Sequence, residues 1–312
     1  MSRSPIRIAL VGIGKIARDQ HIPALAASSD YELVAAVTRH GPVEGISTFG
    51  SITEMRQSGL ALDAVSLCTP PLGRHVLARE AIAAGLHVML EKPPGATVSE
   101  VESLALAARK AGLALFATWH TRAAPAIERA RSWLAGRRIG SATIIWREDV
   151  RQWHPGQAWI WEPGGFGVFD PGINALSAAT AILPQALFLT DASLFYPENR
   201  AMPIAAHLSM SDSEGIAINA DFDWRERGTQ RWDIDVETDA GRLTLSKGGA
   251  ALAIDGETLI DEDEISAEYP NLYVRFAELV RSRMLDVDLA PLRLVADAFM
   301  LGRRVQVDPF VE

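Results

Sequence analysis

The chain has 312 residues, enough for two domains and a sizeable core. Its net charge of −9 argues against a general nucleic-acid or anionic-membrane partner. A single cysteine, Cys68, excludes an intrachain disulfide and points to a reducing compartment. The first apolar run is too short for a signal-peptide core and is interrupted by Gly12 and Gly14, and no window approaches the ~18 apolar residues of a membrane span, so a cytoplasmic protein is expected.

In chain order, Ile6–Val11, Leu33–Thr38, Ala64–Cys68, His87–Leu90 and Leu113–Ala117 read as short apolar strands, and Lys15–Ala27, Leu72–Ala84 and Thr97–Ala111 as the helices between them. Near-continuously apolar strands alternating with helices predict an α/β Rossmann domain with a parallel sheet over residues 1–121. The pattern then changes. Helices are expected at Ala123–Leu134 and Gly172–Ile182, and strands at Ala142–Val150, Thr190–Tyr196, Ile204–Met210, Ile216–Asp223, Gln230–Thr238 and Arg242–Ser246. Strands that follow one another without helices predict an α+β domain with an open antiparallel sheet, residues 122–288. Helices at Leu272–Arg283 and Pro291–Val305 close the chain; the last, in residues 289–312, could pack back on the first domain, and the sequence does not settle it.

Val11–Ala17, VGIGKIA, follows the first strand and opens a helix. It is a dinucleotide fingerprint with Ala17 in the third glycine place. Gly12 and Gly14 permit a tight turn and close approach to a pyrophosphate, with Lys15 and Ile16 at the helix N-terminus that receives it. A carboxylate at the end of the second strand would select NAD. Here stand Thr38, Arg39 and His40, and a hydroxyl beside a guanidinium suits a 2′-phosphate. NADP is therefore the expected cofactor, with NAD as second choice; the competing reading of Arg39 is a solvated surface residue. Thr69 and Pro70 form a rigid turn after the third strand, with His75 just beyond. Glu91 and Lys92, stiffened by Pro93 and Pro94, end the fourth strand. Ligands of such sheets bind at these carboxyl ends, which places Lys92 near a nicotinamide.

The segment from Glu148 to Asn174 fits neither a helical nor a strand period. It combines Trp153, Trp159 and Trp161 with His154 and the carboxylates Glu148, Glu162 and Asp170. Flat aromatic faces beside hydrogen-bonding groups suit a pyranose sugar. Strand alternation puts Glu148 on one face with Ile144, Trp146 and Val150, and a carboxylate on an apolar face needs partners. Sugar hydroxyls or the Lys92 cation would serve; a structural salt bridge is the alternative. Spacing i, i+4 puts Asp170 and Asn174 on one helix face, although Asp170 before Pro-Gly also suits a helix N-cap. Tryptophan is more often core than ligand contact; Trp153 and Trp232 are the candidates for stacking. No HExxH, Cys/His cluster or paired-carboxylate spacing suggests a metal, and no Gly-x-Ser-x-Gly elbow suggests a hydrolase.

The fingerprint, the TPP turn and above all EKPPG resemble the glucose–fructose oxidoreductase/inositol dehydrogenase (Gfo/Idh/MocA) superfamily. Within it, the runs ARDQHIPAL, DAVSLCTPP, HVMLEKPPGAT, LFATWH, REDVRQWHPGQAWIWEPGGFGVFDPGINALS and PLRLVADAF resemble the bacterial L-arabinose/D-galactose 1-dehydrogenases. The resemblance covers the whole chain. It implies a Rossmann domain followed by an α+β domain, and sugar contacts at His120, Trp153 and His154. Superfamily members usually carry Asp-x-x-x-His; here Asn174 replaces the histidine, and the resemblance implies that it anchors substrate, donating and accepting rather than acting as a base.

The implied reaction is oxidation of an aldose at C1 to an aldonolactone. Asp170 is the expected base, with Lys92 lowering its pKa and stabilising oxyanion charge; the two roles could be exchanged. Asn174, Glu148 and His154 would hold the remaining hydroxyls. D-Galactose, L-arabinose and D-fucose are all expected substrates, because they share the C1–C4 configuration and one small substituent gives modest discrimination. The alternatives are an inositol or other polyol dehydrogenase and a non-catalytic sugar or nucleotide sensor. By analogy only, an exposed antiparallel sheet face points to a homodimer.

Overall fold

The computed structural model describes residues 4–39, 41–262 and 268–311. The chain divides into two compact units, residues 1–120 with 269–288 and residues 121–268 with 289–312.

The first unit is built on a seven-stranded sheet in the order Leu285–Asp286, Leu115–Ala117, His87–Leu90, Ala64–Leu67, Ile6–Val11, Tyr31–Val37 and Ser47–Phe49. Every neighbouring pair is parallel. Residues 64–67 are all buried, as expected of a strand covered on both faces. Helix Val98–Ala111 shows how local chemistry sets the boundaries. Thr97 accepts the Glu100 N–H as its N-cap, Glu100 returns to the Ala96 N–H, and Gly112 ends the helix in the left-handed region at φ 65°. The helix after the fingerprint contains a π-helical turn, Ala17–His21, before Ile22–Ala26. Strand Ser47–Phe49 and helix Ile52–Gln57 were not anticipated; both are too short to show a period. Helix Glu268–Ser282 belongs to this unit from Tyr269 onward, whereas the sequence grouped it with the second domain. Its Phe276 stacks between Tyr31 and Phe116, at 6.5 and 6.4 Å.

The second unit carries a nine-stranded sheet, ordered Glu257–Asp261, Ala251–Ile254, Gly241–Ser246, Arg231–Thr238, Ile139–Arg147, Ala217–Asp223, Ala205–Ser211, Phe188–Pro197 and Arg303–Val307. It is mixed rather than purely antiparallel: Ala217–Asp223 runs parallel to Ile139–Arg147, and Arg303–Val307 parallel to Phe188–Pro197. Long connections place these partners side by side, which local sequence cannot reveal. Helix Phe169–Ile182 lies against the sheet: Phe169 meets Phe222 edge-on at 6.1 Å, and a Cβ on Gly172 would stand 2.7 Å from that ring. The last helix is Ala290–Leu301, shorter than expected because a strand follows it, and its Phe299 packs on Phe169 within this unit. Among the described residues no helix is long and apolar enough to cross a membrane.

Candidate active site

The first unit presents the fingerprint turn as a cradle. Gly12 has φ 89°, its N–H donates to Val37 O at 2.8 Å, and a Cβ there would meet Thr69 Cγ2 at 2.7 Å, so only glycine fits. A Cβ on Gly14 would meet nothing within 4 Å, which leaves open ground at the helix N-terminus. Lys15 and Ile16 are exposed there, Lys15 paired with Asp19. The buried Thr69 Oγ1 has no hydrogen-bond partner among the described residues. Thr38 is half-buried, and Arg39 is exposed. Pro70 is exposed and His75 half-buried, while His40 lies outside the described residues. Open ground at a helix N-terminus and an orphaned hydroxyl fit the pyrophosphate of a dinucleotide.

Glu91 and Lys92 take different directions. Glu91 is turned inward and is 3% exposed. Its carboxylate accepts from Tyr269 Oη at 2.6 Å, lies 3.3 Å from His21 Nε2, and accepts the Lys92 N–H. Burial alone would raise its pKa, but the His21 and Tyr269 hydrogen bonds and the His21 and His120 charges hold it at about 2. Burial also opposes the His21 cation, yet Cys68, Tyr273 and Glu91 push that pKa well above its ordinary value. His120 stacks on Tyr269 at 5.8 Å, so this expected sugar contact belongs to the surroundings of Glu91 in the first unit. Lys92 is half-buried, and its bond to Pro93 is cis.

The sequence analysis named none of His21, Tyr269 and Tyr273 in this network, nor Arg74, which donates to the Glu91 carbonyl. His21 was legible: Ala17, His21 and Leu25 recur at helical spacing, and all three are buried. Arg74, only 2% exposed, carried no such signal, since nothing in GRH tells whether an arginine points inward.

In the second unit the helix containing Asp170 and Asn174 starts at Phe169, three residues earlier than expected, which makes their shared face a fact of the structure. The N-cap is Val168, with no side-chain cap bond, so Asp170 is not the cap. Its carboxylate is 3% exposed in the first turn, where the helix dipole favours negative charge, and His154 Nε2 lies 3.4 Å from Oδ2. The other His154 nitrogen is 3.4 Å from Gln157 Oε1, and the ring packs on Trp224. Asn174 Oδ1 is buried without a partner among the described residues. An unsatisfied buried amide oxygen one helical turn from a buried carboxylate is a place for a ligand hydroxyl to donate.

Strand alternation carries Glu148 onto the buried face, but the strand ends at Arg147 and Val150 begins a helical turn. Two tryptophans donate to Glu148, Trp224 Nε1 to Oε1 at 3.1 Å and Trp232 Nε1 to Oε2 at 2.9 Å. Trp224 and Trp161 are core residues. Trp159 is half-buried and donates to Gln157. Trp153 is 42% exposed, donates to Gln230 Oε1 at 2.6 Å and meets Trp232 edge-on at 5.9 Å. Among the described residues no group of three or more His, Cys, Asp or Glu side chains is arranged to hold a metal.

The unit thus holds a carboxylate with an imidazole neighbour, an amide with a spare acceptor, and an aromatic pair in which Trp232 donates to Glu148 and Trp153 to Gln230. Such a set can bind a polyhydroxylated ligand and take a proton from it.

The profile of an oxidoreductase family with a NAD-binding Rossmann fold, Gfo/Idh/MocA, matches residues 6–118. The galactose 1-dehydrogenase of Pseudomonas fluorescens is 46% identical over 310 residues, 99% of each chain. The crystal structure of the D-galactose-1-dehydrogenase protein from Rhizobium etli is 54% identical with a TM-score of 0.95, covering 100% of this chain and 99% of that one. KijD10, a 3-ketoreductase from Actinomadura kijaniata in complex with TDP-benzene and NADP, has a TM-score of 0.84 over 97% of this chain and 99% of its own, but at 20% identity it shows the fold alone. By its cofactor-domain match and its full-length relatives, the chain belongs to the Gfo/Idh/MocA family of Rossmann-fold oxidoreductases.

Proposed function

We propose that the protein is an NAD(P)-dependent aldose 1-dehydrogenase that oxidises D-galactose, and with it L-arabinose and D-fucose, at C1 to the aldonolactone. The observation that carries this reading is the 46% identity, over 99% of both chains, to a galactose 1-dehydrogenase. NADP is the proposed preferred cofactor, supported by Arg39 and Thr38 where a carboxylate would favour NAD.

The nicotinamide cofactor, when bound, supplies the two-electron redox chemistry. The fingerprint turn and the Thr69 hydroxyl would hold it. Asp170 is proposed to take the proton of the C1 hydroxyl, with His154 beside it to stabilise or receive that proton. Lys92 would stabilise developing oxyanion charge. Asn174 would accept from a ring hydroxyl through its buried oxygen, and Trp153 and Trp232 would cover an apolar sugar face. Glu148 would act on the sugar through Trp232. We further place the protein in the cytoplasm, acting without nucleic acid or membrane and as a homodimer.

The test is reduction of NADP and of NAD, each with galactose, arabinose, fucose and inositol. Galactose- and arabinose-dependent reduction faster with NADP is expected. Reduction with inositol alone would overturn the substrate, and no reduction with any of them would favour a sensor.

A further inference from the structure

Arg74 opens helix Arg74–Ala83 directly after Gly73, whose φ of 82° turns the chain, and its guanidinium is buried. Nε donates to Thr69 O at 3.0 Å, and Nη2 reaches the same carbonyl. Nη1 donates to both Glu91 O and Pro93 O. Those two carbonyls flank Lys92, and the Lys92 N–H is held by the Glu91 carboxylate. The backbone around Lys92 is thus fixed on both sides.

We propose that Arg74 is a positioning residue for Lys92. Its planar fork joins the Thr69 turn to the Glu91–Pro93 turn and fixes the peptide from which the Lys92 side chain springs. The proposal rests on the role given to Lys92 above. The Thr69 turn also lies against Gly12, so the two turns that the guanidinium joins stand beside the fingerprint at the carboxyl edge of the sheet. Arginine suits the task because five N–H donors lie in one plane; a lysine ammonium is a point with three, and cannot span carbonyls on two turns in the same way. Removing the fork also leaves buried carbonyls without their donors.

The experiment compares full-length Arg74→Lys, Arg74→Met and Lys92→Met with the wild type. Amide hydrogen exchange is read on the protein without cofactor, and kcat and KM are read with galactose. Loss of about one hydrogen bond predicts roughly tenfold faster exchange at Lys92 and the amides after Pro94 in the Arg74 variants, with strands Ala64–Leu67 and His87–Leu90 still protected. Misplacing Lys92 predicts a fall in kcat of ~10²-fold with little change in galactose KM. Wild-type exchange in that segment with wild-type kcat overturns the proposal. So does uniform loss of protection with unchanged turnover per folded molecule, because that is a merely structural role. Should Arg74→Met fail to fold, Arg74→Lys, which retains the charge, decides the matter. Full activity in Lys92→Met overturns the reading of the site itself, whereas the exchange measurement judges Arg74 separately.

Discussion

Replacing Glu148 with Gln keeps the shape of the side chain and removes its charge. The carboxylate accepts one indole N–H on each oxygen, from Trp224 at 3.1 Å and from Trp232 at 2.9 Å. An amide retains one acceptor and turns its NH2 toward the other indole, setting donor against donor. Trp224 is fully buried and has no water to turn to, so the amide oxygen stays with it and the half-buried Trp232 loses its anchor. A hydrogen bond to a charged acceptor contributes about 1.5–3 kcal/mol, and an unsatisfied buried donor costs about 1–3 kcal/mol. With partial relief from solvent at Trp232, the net loss is on the order of 2–4 kcal/mol. At ~2–4 °C per kcal/mol this lowers Tm by roughly 4–16 °C. Because Trp232 leans on the exposed Trp153, galactose KM should rise more than kcat falls. Thermal melts and steady-state formation of the reduced cofactor measure both effects. Trp232→Phe, which removes the same hydrogen bond from the other side, should be strongly non-additive with Glu148→Gln. A Glu148→Gln protein that melts with the wild type and keeps its KM would refute the reasoning.

Three further outcomes are expected. Asp170→Asn should lower kcat by ~10²–10⁴-fold while the protein stays folded, since a general base contributes about that much; near-full turnover ends its assignment as base. Arg39→Ala should weaken NADP far more than NAD in cofactor titrations, and equal weakening of both would return Arg39 to the solvated surface. Glu91→Gln tests the buried pair through its pH dependence. A carboxyl held at about 2 stabilises the fold fully above the ordinary carboxylate range and loses that contribution as pH falls toward 2. A histidine raised above its ordinary value contributes below ~6.5 and loses its contribution as pH rises through the raised pKa. The advantage of the wild type over Glu91→Gln should therefore be greatest between the ordinary carboxylate and histidine values and shrink on both sides; a difference independent of pH would show that the pair is not ionised.

Much of the site was legible because its signals are local. Gly12 and Gly14 are needed by a single turn, and alternation along the expected strand Ala142–Val150 put Glu148 on a face that the structure buries. Helical spacing likewise placed Asp170 with Asn174. What each side chain then meets was not legible. The carboxylate of Glu148 called for partners, and nothing local announced that tryptophans 76 and 84 residues away would donate to it.

The sequence by itself determined the order of the two folds, the strand–turn–helix that cradles a dinucleotide, and the residue types available for a sugar hydroxyl. Each of these follows from periodicity or turn chemistry within a few residues. Only the tertiary structure decided the parallel pairings of the second sheet, the return of Tyr269 and Tyr273 to His21 and Glu91, and the inward turn of Arg74. Those depend on which distant segments come to lie side by side, and no local pattern encodes the partner of a buried polar group.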